Sequence, residues 1–327
     1  MTVTSSPTFD SRREHFGNAM EFYAPGLKRW QTDEWTPTNS RRFLPVSVTG
    51  SACALQCDHC QTKVLDGMIS VRAGGNLFDL AKSLREGGSE GILVSGGSTR
   101  SGGVPLEKHL VHVPRIKDEL GMRVIAHSGV VSPALAESLA DAGVDGVMLD
   151  IIGADDTIHD VYHLPLTTAD FETSLSLLSE RGLRIIPHIV LGLHYGKFLG
   201  EHNALDMIAR YPVSTLILVV LTPLVSTPME HLPPPPLDDV TSFFATAREA
   251  MPTTKVNLGC ARPMGPMKRH LDEAAVDIGL NGIAYPAEGI IAYAAAKGLE
   301  PRCYEWCCSL TWTGEEGDKW SEVSLSA

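Results

Sequence analysis

Apolar and polar positions follow two regimes along the chain. Residues 1 to 40 hold no sustained period. A polar start gives way to FYAPGLKRW and then to the Thr/Pro-rich TPTNS, so this stretch reads as an irregular N-terminal arm whose Trp30 and Trp35 pack against a domain. From about residue 41 short β-branched or apolar runs alternate with amphipathic helical stretches, the pattern of repeated βα units on a parallel sheet. The runs predict strands at Pro45–Gly50, Gly91–Ser95, Arg123–His127, Gly143–Asp150, Arg184–Leu191, Thr215–Leu221, Thr254–Leu258 and Gly282–Tyr285. Helices are expected at Asn76–Arg85, at Ser132–Asp141 with Ser132 as N-cap and Pro133 behind it, at Thr168–Arg181, at Leu237–Ala250 and at Ala287–Lys297. Eight strands separated by helices predict an α/β fold, a (β/α)8 TIM-type barrel over residues 41–298, followed by a tail over 299–327; a six-strand partial barrel is the alternative. In either barrel the chemistry belongs at the C-terminal ends of the strands.

Composition narrows the setting. At 327 residues and 43% hydrophobic the chain can bury a sizeable core. A net charge of −12 argues against nucleic acid as the main partner, since phosphate-backbone binding needs a basic surface. No apolar run reaches a membrane span, and the charged first thirty residues lack a signal-peptide core, so a cytoplasmic protein is expected. Seven cysteines, odd in number and clustered, suit metal binding in a reducing compartment better than disulfides.

Three of them, Cys53, Cys57 and Cys60, fall in SVTGSACALQCDHC, directly after the first strand of the repeat. Three thiolates on one short loop can hold three corners of a cubane cluster and leave the fourth iron open to a small molecule. A zinc site or three unrelated thiols are the bland readings; zinc wants a fourth ligand nearby, and His59 is cramped between Asp58 and Cys60. The C-x3-C-x2-C spacing with a ring before the last cysteine resembles the signature of the radical S-adenosylmethionine (radical SAM) enzymes. That resemblance implies a [4Fe–4S] cluster and S-adenosyl-L-methionine as cofactors, with the partial (β/α)6 radical SAM barrel as the alternative architecture. It also places His59 near the adenine.

Other candidates sit where strands end. Gly96 and Gly97 follow the second strand, where the family carries a Gly-Gly-Glu-like turn for the methionine amino group; here Ser98 stands in place of the acid. His127 and Ser128 follow the third strand, and Asp150 ends the fourth, where a carboxylate can accept ribose hydroxyls. Val190 and Gly192 resemble the family's Ile-x-Gly turn against adenine. Ser128, Asp150, Val190 and Gly192 are therefore expected at the cofactor, and His127 and His188 at the substrate, although each histidine serves equally as a hydrogen-bonded rim residue. Tyr162 and His163 line the pocket mouth or simply pack, and His194 is a further rim candidate.

The remaining cysteines form a second group. Cys260 follows the seventh strand, and Cys303, Cys307 and Cys308 lie beyond the last helix. Four cysteines can saturate a second cluster, provided the tail folds back over the catalytic rim; zinc or free buried thiols are the alternatives. Adjacent Cys307 and Cys308 are expected to diverge, leaving one spare. Arg262 is a candidate for cluster or substrate, with a rim salt bridge as the alternative.

SVTGSACALQCDHC, the GCARPMG element and the tail ending near CCSL together resemble the two-protein lipoyl synthase family, in the biotin-synthase-like branch. That implies sulfur insertion into an octanoyl chain on a carrier protein, beside a paralogous radical SAM partner and an electron donor such as ferredoxin or flavodoxin. A radical rearrangement of a small molecule, of the methylornithine synthase type, and a non-enzymatic iron–sulfur sensor are the competing readings.

Overall fold

The computed structural model describes residues 6–71 and 75–311. Its strands are β1 (Ala19–Tyr23), β2 (Phe43–Ser47), β3 (Ile69–Ser70), β4 (Gly91–Ser95), β5 (Arg123–His127), β6 (Gly146–Asp150), β7 (Ile185–Leu191), β8 (Thr215–Val220), β9 (Lys255–Leu258), β10 (Gly282–Ala284) and β11 (Glu300–Tyr304). They form one sheet in the order β11-β1-β10-β9-β8-β7-β6-β5-β4-β2-β3, every pair parallel. The helices are α1 (Pro7–Phe16), α2 (Leu77–Glu86), α3 (Glu107–Leu110), α4 (Val113–Leu120), α5 (Pro133–Ala142), α6 (Asp155–Tyr162), α7 (Thr168–Glu180), α8 (Glu201–Ala209), α9 (Leu237–Ala250), α10 (Pro266–Ile278) and α11 (Ile290–Ala296). Among the described residues no helix is long and apolar enough to cross a membrane.

All eight expected strands are present, as β2 and β4 to β10, and they neighbour one another in chain order. Runs such as TLILVV in β8 work as strands because helices cover one face and the curled interior takes the other, so almost every position is buried. The punctuation is also as read: Ser132 Oγ accepts from Leu135 N at 3.1 Å, with Pro133 at the first helical position of α5.

The ladder nevertheless does not close. It runs from β11 to β3, so the sheet is a curled, open half-barrel of eleven strands. The chain just past β1 narrows the gap with one backbone bond, Gly26 N to Phe43 O at 2.9 Å. Gly26 is required there, because a Cβ would lie 2.3 Å from the Ser40 carbonyl oxygen.

Two expectations need correction. Residues 6–40 are not an irregular arm, and residues 1–5 of the expected arm lie outside the described residues. Ser6 caps α1 by accepting from Phe9 N at 3.2 Å, and β1 lies between β10 and β11, with Glu21 opposite Gly282 and Arg302. Trp30 and Trp35 do pack: their rings meet edge-on at 5.1 Å, and Trp30 lies 6.1 Å from Tyr285. The tail is likewise part of the sheet as far as Tyr304, and it then turns into the interior rather than over the catalytic rim. Residues after 311 lie outside the described residues.

Strand parity shows how the interior is shared. On β4, β5 and β8 the later inward residues, Leu93, Ser95, His127 and Val219, line a cavity at the C-terminal ends. The first residues of the same strands meet the tail: Trp306 and Leu310 pack with Phe43, Gly91 and Arg123, and the Thr311 hydroxyl bonds Thr215 at 2.7 Å. Lys255 at the start of β9 donates to Thr311 O at 2.9 Å and to Glu21 at 2.9 Å. Residues 305–311 thus fill the N-terminal half of the interior, where a closed barrel would use layers of side chains.

Candidate active site

The cavity measures about 430 Å³ and is walled mainly by apolar side chains such as Leu55, Leu65, Met68, Val104, Phe171 and Leu221. At one end lie Cys53, Cys57, His59 and Cys60, with Gly96 and Gly97 beside them. His127, Asp150, Tyr162, His188 and Val190 supply most of the remaining chemistry.

The glycines act on the cysteine loop as well as on the cavity. A Cβ at Gly97 would stand 2.0 Å from Ala52 O and 2.6 Å from Cys53 Cα, so only glycine lets the two turns touch. Gly97 N donates to Thr49 Oγ1 at 2.7 Å, and Ala54 N to Ser98 O at 2.9 Å. Residue 98 therefore meets the loop through its backbone, whatever its side chain.

Cys57 and Cys60 act on each other in opposite directions. The hydrogen bond between them, with burial, pushes Cys57 up; the same bond, helped by His59, brings Cys60 down to about 4. An anionic sulfur beside a second thiol is the donor set that an iron–sulfur cluster takes. His59 Nδ1 and the Tyr162 hydroxyl are both buried without a protein hydrogen-bond partner, and their rings lie 5.2 Å apart on the cavity wall. Unpartnered polar atoms on residues that line a cavity suit a polar ligand nearby. The three thiols, the glycine turn and these two atoms fit a cluster with a nucleotide-bearing cofactor.

Across the cavity Asp150 is surrounded by histidines. Burial alone would raise its pKa; the close approach of His127, with smaller contributions from the other nearby imidazoles, outweighs that and holds it below the usual value. His127 Nε2 stands 3.8 Å from Asp150 Oδ1. Burial brings His188 down to about 4, and its Nδ1 donates to Ile186 O at 3.1 Å, which leaves Nε2 as an acceptor.

Three expected site residues stand elsewhere. Ser128 is fully buried and donates to Gly129 O at 3.0 Å, off the cavity wall. Gly192 is also off the wall: its φ of +75° makes the turn after β7, its N–H donates to Glu201 Oε1 at 2.9 Å, and Pro235 packs where a Cβ would be. The proline run thus braces this turn, a role its sequence did not reveal. Arg262 binds no ligand. Its five N–H donors all go to protein, two to the Asp272 carboxylate and three to the carbonyls of Gly259, Ala284 and Tyr285, with the side chain 1% exposed. His194 bonds Thr157 Oγ1 at 3.3 Å, away from the wall.

The second cysteine group lies inward of the cavity. Cys260 precedes the wall residue Ala261. Cys260, Cys307 and Cys308 all help, after burial, to push Tyr285 up, and the positive field of His127 reaches Cys307. The adjacent thiols sit buried in a turn closed by Leu310 N to Cys307 O at 2.9 Å, and each acts on the other's titration. The bond from Cys308, with help from Ser309, brings Cys307 down to about 7, while Cys308 moves up. Cys303 stands on β11 in register with Phe22.

Sequence reasoning passed over the polar residues that hold these groups. Asp58 and Tyr195 fix the first loop, and Glu305, whose side chain is wholly buried, fixes the tail. The Glu305 carboxylate accepts from Arg42 Nε at 2.9 Å, from the Thr38 hydroxyl at 2.8 Å, and from the backbone N–H of Thr38 and Asn39. Its only signal in the sequence is an acid within a Cys-rich aromatic stretch.

Comparison with known proteins agrees with this geometry. Residues 47–208 match the radical SAM superfamily. A biotin synthase from Synechococcus sp. is 30% identical over 165 residues, 47% of this chain and 50% of that protein. One from Halorhodospira halophila is 24% identical over 73% of each chain. The chain thus spans half the length of the first relative and about three quarters of the second. In fold it is similar to methylornithine synthase, with a TM-score of 0.56 at 11% identity over 90% of this chain and 87% of that one. It is also similar to an FeFe-hydrogenase maturase from Carboxydothermus hydrogenoformans, with a TM-score of 0.59 at 16% identity over 90% and 70%. With its cysteine loop, glycine turn and curled parallel sheet, the chain belongs to the radical SAM superfamily.

Proposed function

We propose that this radical SAM enzyme inserts sulfur in the manner of a lipoyl synthase component, acting on an octanoyl chain borne by a carrier protein. A paralogous radical SAM partner and a ferredoxin- or flavodoxin-type donor complete the proposed system. The observation that carries the reading is the second cysteine group: Cys260, Cys307 and Cys308 gather inward of the cavity whose other end holds Cys53, Cys57 and Cys60. The apolar wall supports an alkyl substrate, and the placing of Cys260, Cys307 and Cys308 near one another supports a metal cluster over unrelated thiols.

Loaded with two [4Fe–4S] clusters and S-adenosylmethionine, such a site supplies a 5′-deoxyadenosyl radical to take hydrogen from carbon and a cluster sulfide to supply the sulfur. The residues do the rest. Cys53, Cys57 and Cys60 hold the first cluster, and Cys260, Cys307, Cys308 and Cys303 are the ligands proposed for the second. Gly96 and Gly97 keep the cysteine loop and cofactor wall in contact. Asp150, kept ionised, accepts hydrogen bonds from ribose. His59 and Tyr162 offer their unpartnered polar atoms to the adenine end. His188, neutral at working pH, presents an acceptor toward the substrate.

The test is anaerobic incubation with an octanoyl-lysyl peptide, S-adenosylmethionine and reductant, with and without a paralogous partner, followed by mass analysis for added sulfur. About eight irons per chain are expected, two cubanes' worth. Four irons, with no effect of Cys260→Ala on sulfur transfer, would overturn the reading. The polar group of His127, Asp150 and His188 supports a second reading, rearrangement of a small polar molecule, which would appear as cofactor cleavage without a sulfur-bearing product.

A further inference from the structure

The loop that carries the first three cysteines is held in an unfavourable shape. Seven described non-glycine residues have positive φ, and five belong to this loop or touch it: Gln56 at 52°, Gln61 at 44°, Thr62 at 66°, His163 at 57° and Tyr195 at 52°. Left-handed backbone is disfavoured for an L-residue and persists where surrounding contacts over-determine it. Those contacts meet at Asp58, between Cys57 and His59. Its Oδ1 lies 2.9 Å from His163 Nε2, its Oδ2 accepts from the Tyr195 hydroxyl at 2.8 Å, and its backbone N–H donates to Val161 O at 2.9 Å. Cys57 Sγ also approaches Tyr162 O at 4.0 Å.

The two partners come from the segments that build the cofactor wall. His163 follows Tyr162, which lines the cavity, and Tyr195 lies three residues past the Gly192 turn. Each partner is itself one of the left-handed residues, so the carboxylate ties strained backbone to strained backbone across three loops. The other acids near the mouth do not do this: Asp160 meets Tyr195 through its carbonyl, and Asp155 accepts from Thr168 N.

The geometry points to Asp58 as a positioning residue that locks the cluster loop to the cofactor wall, so that cluster retention and cofactor binding respond together. This rests on Cys53, Cys57 and Cys60 being the ligands, which Cys57→Ala tests separately by loss of the cubane. The experiment compares reconstituted native protein with Asp58→Asn and Asp58→Glu under anaerobic conditions. It follows iron release to a chelator and the electron paramagnetic resonance spectrum of the reduced cluster with and without S-adenosylmethionine. Asp58→Asn is expected to lose iron about ten-fold faster, the usual cost of removing a supporting carboxylate around a metal site. Its spectrum is expected to lose the cofactor-induced change, and Asp58→Glu is expected to restore part of both. Native release rate and native cofactor response in Asp58→Asn would overturn the inference. Should Asp58→Asn fail to fold, His163→Gln with Tyr195→Phe removes the same bonds from the other side. Faster iron release there supports the clamp, and a native rate refutes it.

Discussion

The two cysteine groups share chemistry and differ in how they are held. Cys53, Cys57 and Cys60 ride on a loop whose Ser51, Ala52, Ala54 and Gln56 face solvent, kept in a strained shape by polar contacts at its edge. Cys303, Cys307 and Cys308 lie in a stretch, residues 303–311, that is buried at every position and is stapled by Glu305 to the chain before β2. A loop held by a few hydrogen bonds can open locally; a buried segment inside the sheet moves only with the core. The first arrangement suits a site that must admit a cofactor, and the second suits a site that must stay put.

The largest expected contrast is between Cys57→Ala and Cys307→Ala. Cys57→Ala should reduce S-adenosylmethionine cleavage to background, while Cys307→Ala leaves cleavage within about two-fold and abolishes sulfur transfer, because well-separated sites act independently. Product analysis by chromatography reads both, and equal loss of cleavage in the two variants would merge the groups.

Stability should separate them in the opposite sense. Glu305→Gln leaves Arg42 facing a neutral amide and removes an acceptor from a buried cluster of donors, at a cost of about 3 kcal/mol. Asp58→Asn, nearer the surface, should stay within about 1 kcal/mol of native. Denaturant unfolding of the apoprotein measures both.

Acid sensitivity belongs to the cavity between the groups. Burial holds folded His188 at about 4, against 6.5 for the free side chain. The unfolded chain therefore takes up the proton first as the pH falls, and stability drops from pH 6.5 down to about 4, by up to about 3 kcal/mol. His188→Asn should flatten that slope in melting temperatures taken across the window, and an unchanged slope would place the titrating group elsewhere.

Much of the sheet was legible because its signals are local. β4 and β5 begin and end where their apolar runs do, and α9 spans Leu237–Ala250 as its pattern predicts. β1 was missed because AMEFY places Glu21 in the middle of a strand, and that position is tolerable only because Lys255, 234 residues away, and the Tyr23 hydroxyl both bond its carboxylate. α1 has scarcely any apolar stripe, though Ser6 and Pro7 offered a readable start. In the site, residue types that bind metal announced themselves by spacing. Asp58, Tyr195 and Glu305 did not, because their partners are set by loop geometry that no short pattern encodes. Arg262 misled for the converse reason: beside Cys260 it reads as a ligand, and only the fold reveals that Asp272 and three carbonyls consume every donor.

The place of β1 between β10 and β11 bears on how the molecule is made. β1 leaves the ribosome well before β10 and β11, and it waits for them before either of its edges is paired. Until residues 282–304 emerge, Met20, Phe22 and Tyr23 have no sheet to enter, and the interior surfaces of β2, β4 and β5 lack the tail that covers them. Synthesis therefore carries a long interval in which apolar strand edges are open to other chains. A chain cut before Gly282 would remain in that state, and one cut before Glu300 would still leave one edge of β1 open and the interior without its tail, whatever the condition of its cysteine loop.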